Sequence, residues 1–444
     1  MNKFDVLVVG GGFRSIIAAW GLARQGEKVA LVESGAKIGG FMSPINWDGN
    51  WIDKGPQFFD NFEPQDVELM HEIVGPDVLE EIGFEYGSFT GGTLNCDFAI
   101  PDWQTLGEDT AYEVFQNLFK DRVRRNGNVP GLDTFDDLLL YDGGPTLYPY
   151  LARLTRKFVR RDTVDLSPHA AGMVSFLGRK KLFDQATSVN LKKSPLLDGI
   201  LAAKKVSVGE DRANLYPRGS SLETVRLALE DALETVGVTV FTNTALSDFD
   251  SATGTARGDG IEIGFSRVFF GTDIRDSEKI LTGGRTIADK THVLPEIFHC
   301  FVVPAEDVAK PYYVVDYDAD HLSTRITSFC NYMGSVDEEG NGVICVEEPV
   351  DIDDDRWRDP EAKLGQIFDE VRATGTVSAE GYLKAKSFCI PSTYKLPLVG
   401  IESAVDQFFD AMKSRFGDAI ILPNAYGLTR KEAINDLRSL GMLA

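Results

Sequence analysis

The sequence predicts an α/β fold, α+β overall, in which a parallel-sheet domain is interleaved with a second domain of mixed β-sheet and helices. Three observations lead to this prediction. Residues 4–33 have the pattern strand, glycine-rich turn, helix and strand. A turn, a helix and a strand follow again in residues 214–246, and residues 383–444 close the chain with a similar pattern. Between these segments, apolar residues recur mostly at helical spacing in residues 61–205, and they alternate with polar residues, as in strands, in much of residues 291–387.

The first of these segments is a strand–helix–strand unit. It begins with the apolar run FDVLVV (residues 4–9), which is typical of a buried parallel strand. Residues 16–25 contain no proline and place apolar side chains at mostly helical spacing, and Gly26 follows where a helix would end. Residues 28–32 form a second apolar run that ends in Glu33. The glycine-rich turn therefore lies between a strand and a helix.

The turn GGGFRS (residues 10–15) differs from the dinucleotide-binding pattern G-x-G-x-x-G at its third glycine, where Ser15 stands. Gly10 permits a tight turn, and Gly12 lets the backbone approach a pyrophosphate at the positive end of the helix dipole. The third position serves close packing of helix on strand, for which serine is small enough. Glu33 has the spacing of the acid that binds a ribose hydroxyl. The alternative is a glycine-rich turn in an ordinary strand–helix–strand unit.

Composition limits the other functions of the chain. Its 444 residues, of which 43% are hydrophobic, are enough for a large core and two or more lobes. A net charge of −23 speaks against a nucleic-acid partner, because phosphate contacts need clustered basic residues. The five cysteines are scattered and the five histidines have no ligand spacing, so no disulfide framework or metal site is expected. With no signal peptide or membrane-spanning run expected either, a cytoplasmic protein is predicted.

The stretch after Glu33, SGAKIGGFMSPINWDGNWIDKGPQFFDN, makes a family resemblance specific. Residues 6–59 resemble the N-terminus of flavoproteins of the amine oxidase and protoporphyrinogen oxidase type, a superfamily that includes UDP-galactopyranose mutase. The resemblance lies in Gly39-Gly40 after the acid, and in a hairpin that ends in Asp53-Lys54-Gly55 and two phenylalanines. In that family the Gly-Gly turn runs along the pyrophosphate and ribityl chain of FAD. The resemblance therefore implies FAD rather than NAD.

The sequence departs from the family at several of these positions. Phe41 stands where the oxidases often have arginine, and Gln57 stands where the mutases have a histidine close to the flavin. Asn424-Ala425 follows the last predicted strand, where most members have Gly-Arg or Gly-Asp. Glutamine forms hydrogen bonds but does not titrate, so Gln57 cannot replace the histidine in proton transfer.

The resemblance also implies how the domains are divided. The FAD-binding domain is expected in residues 1–60, 206–290 and 388–444, and the substrate domain with a helical insert in residues 61–205 and 291–387. Residues 153–161 form a basic cluster that could receive an anionic or sugar-linked substrate, or could be a solvated helix face. Arg325, on a predicted strand, is expected to face the substrate, or to form a salt bridge at a strand edge. The oligomeric state stays open.

The candidate site residues follow from the motif and the resemblance. Gln57, Arg325, Tyr394 and Lys395 are the candidates for the substrate pocket. The residues expected to contact the cofactor are Gly10, Gly12, Phe13, Arg14, Ser15, Glu33, Ser34, Gly39, Gly40, Phe41, Met42, Gln57, Phe58, Leu246, Asn424, Leu428 and Thr429.

Three functions are compatible with these residues. The leading prediction is an FAD-dependent oxidoreductase that transfers hydride from a small-molecule substrate to flavin N5. The second is mutase chemistry on a nucleotide sugar, which the basic cluster and Arg325 favour and Gln57 disfavours. The third is a non-enzymatic binding protein that resembles the GDP-dissociation inhibitors, which share the fold and have lost the third glycine and the flavin.

Overall fold

A computed structural model describes residues 2–125, 131–204, 212–427 and 429–443. The chain forms two compact units, each made of several segments. The first unit comprises Met1–Gly83, Glu210–Lys290 and Gly400–Ala444, and the second comprises Phe84–Gly209 and Thr291–Val399.

The described residues contain strands and helices in the following order along the chain. The strands are β1 (Asn2–Val9), β2 (Val29–Val32), β3 (Ile45–Trp47), β4 (Asn50–Ile52), β5 (Phe59–Phe62), β6 (Glu80–Ile82), β7 (Tyr86–Thr90), β8 (Thr93–Asn95), β9 (Ala213–Tyr216), β10 (Thr239–Phe241), β11 (Asp248–Asp250), β12 (Thr255–Gly258), β13 (Ile261–Phe270), β14 (Thr291–Pro304), β15 (Tyr313–Asp316), β16 (Arg325–Ser328), β17 (Asn341–Pro349), β18 (Lys384–Pro397) and β19 (Ile420–Ile421). The helices are α1 (Phe13–Arg24), α2 (Pro64–Val74), α3 (Glu108–Arg125), α4 (Phe135–Val159), α5 (Gln185–Leu191), α6 (Pro195–Asp198), α7 (Leu222–Thr235), α8 (Ile274–Thr282), α9 (Thr286–Asp289), α10 (Phe329–Tyr332), α11 (Asp355–Arg358), α12 (Leu364–Ala373), α13 (Ile401–Phe416) and α14 (Arg430–Ser439).

The first unit is built on a seven-stranded sheet with the order β10-β2-β1-β13-β12-β11, in which β19 also pairs with β13. The strands β10, β2, β1, β13 and β19 are parallel to their partners, whereas β11 and β12 form an antiparallel extension. The apolar residues of β1 and β13 are buried because parallel strands are covered on both faces. The predicted strand–helix–strand unit at the N-terminus is therefore the centre of this sheet.

A smaller sheet joins residues 61–83 to the first unit. Strands β5 and β6 both pair antiparallel with β9, and α2 packs against α7. The sequence assigns residues 61–83 to the substrate domain, but the hydrogen bonds of these strands place them with the dinucleotide-binding segments.

The second unit contains another seven-stranded sheet, with the order β18-β14-β17-β16-β15-β7-β8. All neighbours are antiparallel except β15 and β7. One face packs against α12 through Phe301, Ile344 and Phe368. The other face, which includes Leu294 and Val315, packs against the helical layer around α4.

Strand β18 decides where the last domain boundary falls. Its fourteen residues pair along β14 as far as Pro397, so residues 388–399 lie in the second unit, not in the closing segment to which the sequence assigns them. Tyr394 and Lys395 therefore belong to the mixed sheet.

The helical part of the second unit follows the predicted spacing. Thr134 caps α4 through a capping box with Asp137. The helix is interrupted at Gly144, where φ is 67° and ψ is 178°, and Pro145 follows. The break divides α4 into two helical parts, before and after Gly144. Across the described ranges, no helix is both long enough and apolar enough to pass through a bilayer.

Candidate functional site

The turn between β1 and α1 is closely packed at Gly10 and open at Gly12. Gly10 has φ = 96°, and a Cβ atom there would approach Thr272 Cγ2 to 2.7 Å, so this position requires glycine. A Cβ atom on Gly12, by contrast, would meet nothing within 4 Å. Gly12 is the N-cap of α1, no side chain caps the helix, and its first turn has no acidic residue. Its first backbone N–H groups are therefore suited to an anion.

Ser15 occupies the packing position of the missing third glycine. It is fully buried, and its hydroxyl has no hydrogen-bond partner among the described residues. A Cβ atom on Gly271 would approach Ser15 Oγ to 2.0 Å. The space for the serine side chain thus comes from a glycine at the end of the adjacent strand.

Glu33 holds the first turn and the following loop through its carboxylate. Gly11 N–H donates to Oε2 at 2.6 Å, and Gly35 N–H donates to Oε1 at 2.6 Å. An ionised carboxylate has about four lone-pair sites, so both oxygens keep capacity for a further donor such as a ribose hydroxyl. Ser34, the next residue, is exposed beside it, with its hydroxyl 3.3 Å from Oε1.

The second glycine loop lies directly against the first. Gly39 N–H donates to Gly11 O at 2.7 Å. A Cβ atom on Gly40 would come within 3.3 Å of Gly12 Cα, and one on Gly39 would come within 2.8 Å of Arg226 Cγ. The absence of side chains on both loops forms a cradle of backbone next to the open side of Gly12, which fits the diphosphate of a dinucleotide.

The end of the hairpin is fixed by an arginine that the sequence analysis does not select. Arg430, the first residue of α14, donates through Nη1 to the carbonyl oxygens of Gln57 and Phe58, at 3.2 and 3.0 Å, and through Nη2 to Gln57 Oε1 at 2.7 Å. Its guanidinium also lies over the rings of Phe59 and Phe13, 4.7 and 6.0 Å from their centroids. Burial lowers the pKa of Arg430 to about 10. In the sequence, the one indication of a role for Arg430 is that it directly follows Thr429, which is among the residues expected to contact the cofactor.

The predicted cofactor residue Gln57 thus has both ends of its amide occupied. Its Nε2 donates to Lys54 O at 2.9 Å while Oε1 accepts from Arg430. Gln57 therefore links the end of the hairpin to α14 within the first unit. A role for Gln57 in a substrate pocket stays a prediction.

Arg14 connects the start of α1 to the segment after β19. Its Nη1 and Nη2 donate to Asn424 O and Gly427 O, both at 3.3 Å. The Asn424 side chain accepts from Tyr426 N–H at 2.9 Å. Thr429 caps α14 in a capping box with Glu432, and Leu428 lies outside the described residues.

The remaining predicted cofactor residues differ in exposure. Phe41 is 41% exposed and lies 5.3 Å from Lys54 Nζ, whereas Met42 is buried beside it. Phe58 is buried, and Phe13 packs edge-on against Phe59 with ring centroids 5.8 Å apart. Leu246 is buried in the apolar core of the first unit.

The predicted pocket residues of the second unit form a polar cluster on the mixed sheet. Arg325 is directly opposite Glu347 across β16 and β17, and its Nε and Nη2 donate to the Glu347 carboxylate at 2.8 and 2.5 Å. Its Nη2 also lies 3.4 Å from the hydroxyl of Tyr394. Arg325 thus forms a salt bridge with a buried carboxylate, which is the second of the two roles expected from the sequence.

A second buried carboxyl group joins this cluster. Glu296, on β14, is 3% exposed, and Thr393, whose hydroxyl donates to Leu294 O at 2.9 Å, lies beside it. Burial and the neighbouring charge of Glu347 raise the pKa of Glu296 to about 8. A carboxyl group of this kind holds a proton near neutral pH.

Three members of the basic cluster on α4 lie beside acids. Arg153 pairs with Asp320 at 2.5 Å and Arg156 with Asp162 at 2.6 Å, while Lys157 Nζ lies 3.7 Å from Asp316 Oδ1 and donates to the backbone carbonyl oxygen of Asp318 at 2.6 Å. Lys395 follows Tyr394 on β18, so strand alternation directs it to the opposite face.

With this geometry in place, comparison with known proteins identifies the first segment. Residues 8–72 match the NAD(P)-binding Rossmann-like domain family. Over 68 residues the chain is 38% identical to coproporphyrinogen III oxidase of Propionibacterium freudenreichii subsp. freudenreichii, and over 47 residues it is 56% identical to thiamine thiazole synthase of Desulfosudis oleivorans. These matches cover 15% and 11% of the chain, and the chain spans only 13% and 17% of the relatives' own lengths.

Solved structures are similar to the chain over its whole length. Reduced UDP-galactopyranose mutase has a TM-score of 0.73 at 14% identity and covers 100% of this chain and 95% of its own. A putative protoporphyrinogen oxidase from Exiguobacterium sp. 255-15 has a TM-score of 0.66 at 15% identity, covering 99% and 97%. Putrescine oxidase bound to putrescine has a TM-score of 0.62 at 14% identity, covering 99% and 98%. The predicted fold, with a Rossmann-like sheet and a mixed sheet, is confirmed.

Proposed function

We propose that the chain is an FAD-dependent oxidoreductase that transfers hydride from a small-molecule substrate to flavin N5. The observation that supports FAD is the hydrogen bond from Gly39 N–H to Gly11 O at 2.7 Å, which holds the second glycine loop against the first. Together the two loops would place two glycine-rich backbone segments around one diphosphate. A nicotinamide dehydrogenase needs only one such segment, the first glycine turn.

Residues of the first unit fit such a cofactor. Gly12 and the uncapped first turn of α1 would receive the diphosphate, and the free lone pairs of Glu33 would accept a ribose hydroxyl. Gly39 and Gly40 would allow the close approach of the chain that follows the diphosphate. Ser15 is compatible with this arrangement because Gly271 provides its space.

The chemistry asked of the protein is modest. FAD, when bound, supplies a two-electron acceptor, and the protein orients the substrate, excludes water and manages one proton. In the second unit Arg325 and Tyr394 supply hydrogen-bonding groups, and Glu296 is the carboxyl group whose protonation changes near neutral pH. No separate nucleophile on the protein is required for this chemistry.

Three groups of residues have partners that favour an oxidoreductase over a mutase acting on a nucleotide sugar. Arg325 is neutralised by Glu347, so it is a weak receptor for a diphosphate. The basic cluster on α4 is paired with Asp320 and Asp162. The amide of Gln57 is bonded to Arg430 and the Lys54 carbonyl. With Glu296 protonated, the cluster around Arg325 carries one carboxylate for one guanidinium, which suits a neutral substrate group better than an anionic one.

The first experiment is an absorbance spectrum of the purified protein before and after heat release of any ligand, followed by titration of the apoprotein with FAD. Bound flavin that is reduced anaerobically by an organic donor would support the proposal. Putrescine and a porphyrinogen are the first donors to test, because structurally similar proteins are named as oxidases of these compounds. Flavin that no donor reduces would contradict it.

The two alternatives give different results in the same assays. With reduced flavin, a nucleotide sugar and a borohydride reagent, a flavin–sugar adduct would support mutase chemistry. Failure to bind FAD at any concentration would support the non-enzymatic binding protein. The departure from the glycine pattern at Ser15 motivates that alternative.

A further inference from the structure

Two arginines of the first unit lie, partly buried, at the starts of helices. Arg14 is the second residue of α1, and Arg430 is the first residue of α14. Helix N-termini are positively polarised, so a cation in the first turn is electrostatically unfavourable unless a negative group compensates for it. The guanidinium of Arg430 lies over the ring of Phe13, the neighbour of Arg14 in the chain. We call Arg14 and Arg430 the arginine pair.

Within the described part of the chain, neither member of the arginine pair forms an ion pair with a carboxylate. Arg14 reaches only the carbonyl oxygens of Asn424 and Gly427, both at 3.3 Å, and its Nε atom is buried without a partner among the described atoms. Arg430 reaches two carbonyl oxygens and the amide oxygen of Gln57. Carbonyl oxygens satisfy N–H groups but leave the net charge uncompensated.

Carboxylates act on both arginines only from a distance. Burial lowers the pKa of Arg14, and the more distant Asp436, Glu432 and Asp273 offset this effect in part. Burial also lowers the pKa of Arg430, which Asp60 and Asp53 offset through space. Burying a guanidinium without a contacting anion is costly, so the two positions are electrostatically incomplete.

The turn that precedes Arg14 in the chain is suited to an anion. Gly12 is open on the side where a Cβ atom would lie, and the first turn of α1 has neither a cap nor an acid. Arginine binds phosphate oxygens through charge-assisted hydrogen bonds, which are about twice as strong as neutral ones. We propose that the arginine pair is the counter-charge for the diphosphate of the bound dinucleotide, with Arg14 the principal contact.

This inference rests on the proposed dinucleotide function, and it is tested by binding, not by turnover. The variant is Arg14→Gln, which removes the charge and keeps donors for the two carbonyl oxygens. The control is Arg24→Gln, at the other end of the same helix, where the arginine is 57% exposed and pairs with Glu72. The probes are FAD, ADP and adenosine, titrated against the apoprotein at low and high salt.

We expect Arg14→Gln to weaken both FAD and ADP by about 10- to 100-fold at low salt, because one charge-assisted contact is lost. Adenosine, which has no diphosphate, should bind to the variant as it binds to the wild type. The salt dependence of ADP affinity should fall in Arg14→Gln and stay unchanged in Arg24→Gln. Arg14→Lys, which keeps the charge, should recover part of the affinity.

Several outcomes would overturn the inference. Unchanged ADP affinity in Arg14→Gln would do so, as would an equal loss for ADP and adenosine, which would indicate a packing role. If Arg14→Gln does not fold, Arg14→Lys and Arg24→Lys are compared by the same titrations, and equal ADP affinity of the two variants contradicts the inference. Wild-type protein that binds ADP through Arg14 but rejects FAD would refute the proposed function and leave the inference standing.

Discussion

The hydroxyl oxygen of Ser15 lies against the backbone of Gly271, so closely that a Cβ atom at position 271 would approach it to 2.0 Å. The third glycine of the dinucleotide pattern normally lets the helix pack closely on the strand. In this chain the close approach is kept by a glycine on the opposite side of the contact. The cost of the exchange is one buried hydroxyl without a partner among the described residues.

This contact predicts the stability of variants at both positions. Gly271→Ala should lower the free energy of unfolding by about 1–3 kcal/mol, because its Cβ has no space beside Ser15. Adding Ser15→Gly should recover part of that loss, which equilibrium denaturation of the single and double variants would measure. Gly381→Ala, whose Cβ would meet nothing within 4 Å, is the control. A Gly271→Ala protein as stable as the wild type would refute this account.

A substitution at Gly12 should affect cofactor binding without affecting folding. Because a Cβ atom there meets no protein atom within 4 Å, Gly12→Ala should leave the free energy of unfolding of the apoprotein within about 0.5 kcal/mol of wild type. The same methyl group would occupy the proposed diphosphate cradle, so FAD affinity should fall at least about tenfold, or about 1.4 kcal/mol. Fluorescence titration with FAD and denaturation of the apoprotein measure the two effects. Equal FAD affinity in Gly12→Ala and Gly381→Ala would contradict the placement of the diphosphate.

Local patterns in the sequence were sufficient for much of the first unit. The strand before Gly10, the helix after Gly12 and the acid at Glu33 are encoded within about thirty consecutive residues, so hydrophobic spacing and turn chemistry predict them. The same holds for the capping box of Thr429 and Glu432, where both partners lie within one helical turn.

Contacts between distant parts of the chain could not be predicted in this way. Arg430 and Gln57 are 373 residues apart, and their hydrogen bond depends on how the last helix packs on the hairpin. The partner of Arg325 depends on the register of β16 and β17, which pairs it with Glu347. Tyr394 was expected near the closing segment of the cofactor domain, but the long pairing of β18 with β14 places it in the mixed sheet.

Glu296 should make the stability of the protein depend on pH. Its pKa in the folded protein, about 8, lies above the ordinary value of 4.5, so the folded state binds a proton that the unfolded state releases. The stability linked to this group is fully present below about pH 4.5 and is lost as the pH rises towards 8. Glu296→Gln, which mimics the protonated form, should flatten this decline in denaturation experiments across that range.

The groups that act on Glu296 are Glu347, Arg325 and Thr393. The control for the titration is Glu361→Gln, because Glu361 is a glutamate at the surface paired with Lys386. An unchanged decline of stability in Glu296→Gln would show that another group titrates. Infrared difference spectra of the carboxyl stretch identify the protonated group directly, and the band should be absent from Glu296→Gln.

Glu347 and Glu296 should compensate for each other at Arg325. Removing one partner of a buried ion pair costs about 3–5 kcal/mol when the remaining charge has no other partner. In Glu347→Gln, however, Glu296 is a second carboxyl group near Arg325, and loss of the negative neighbour removes one of the two causes that raise its pKa. Glu296 should then ionise near neutral pH and replace the lost charge, so the variant should lose less free energy of unfolding than that range.

A double-mutant cycle measures this compensation. Glu347→Gln combined with Glu296→Gln should be less stable at neutral pH than the sum of the single effects, because Arg325 would then have no carboxylate beside it. Additive losses would show that Glu296 stays protonated and does not reach Arg325. In that case the carboxyl band of Glu296 would persist at neutral pH in Glu347→Gln, which makes the infrared measurement an independent check on the cycle.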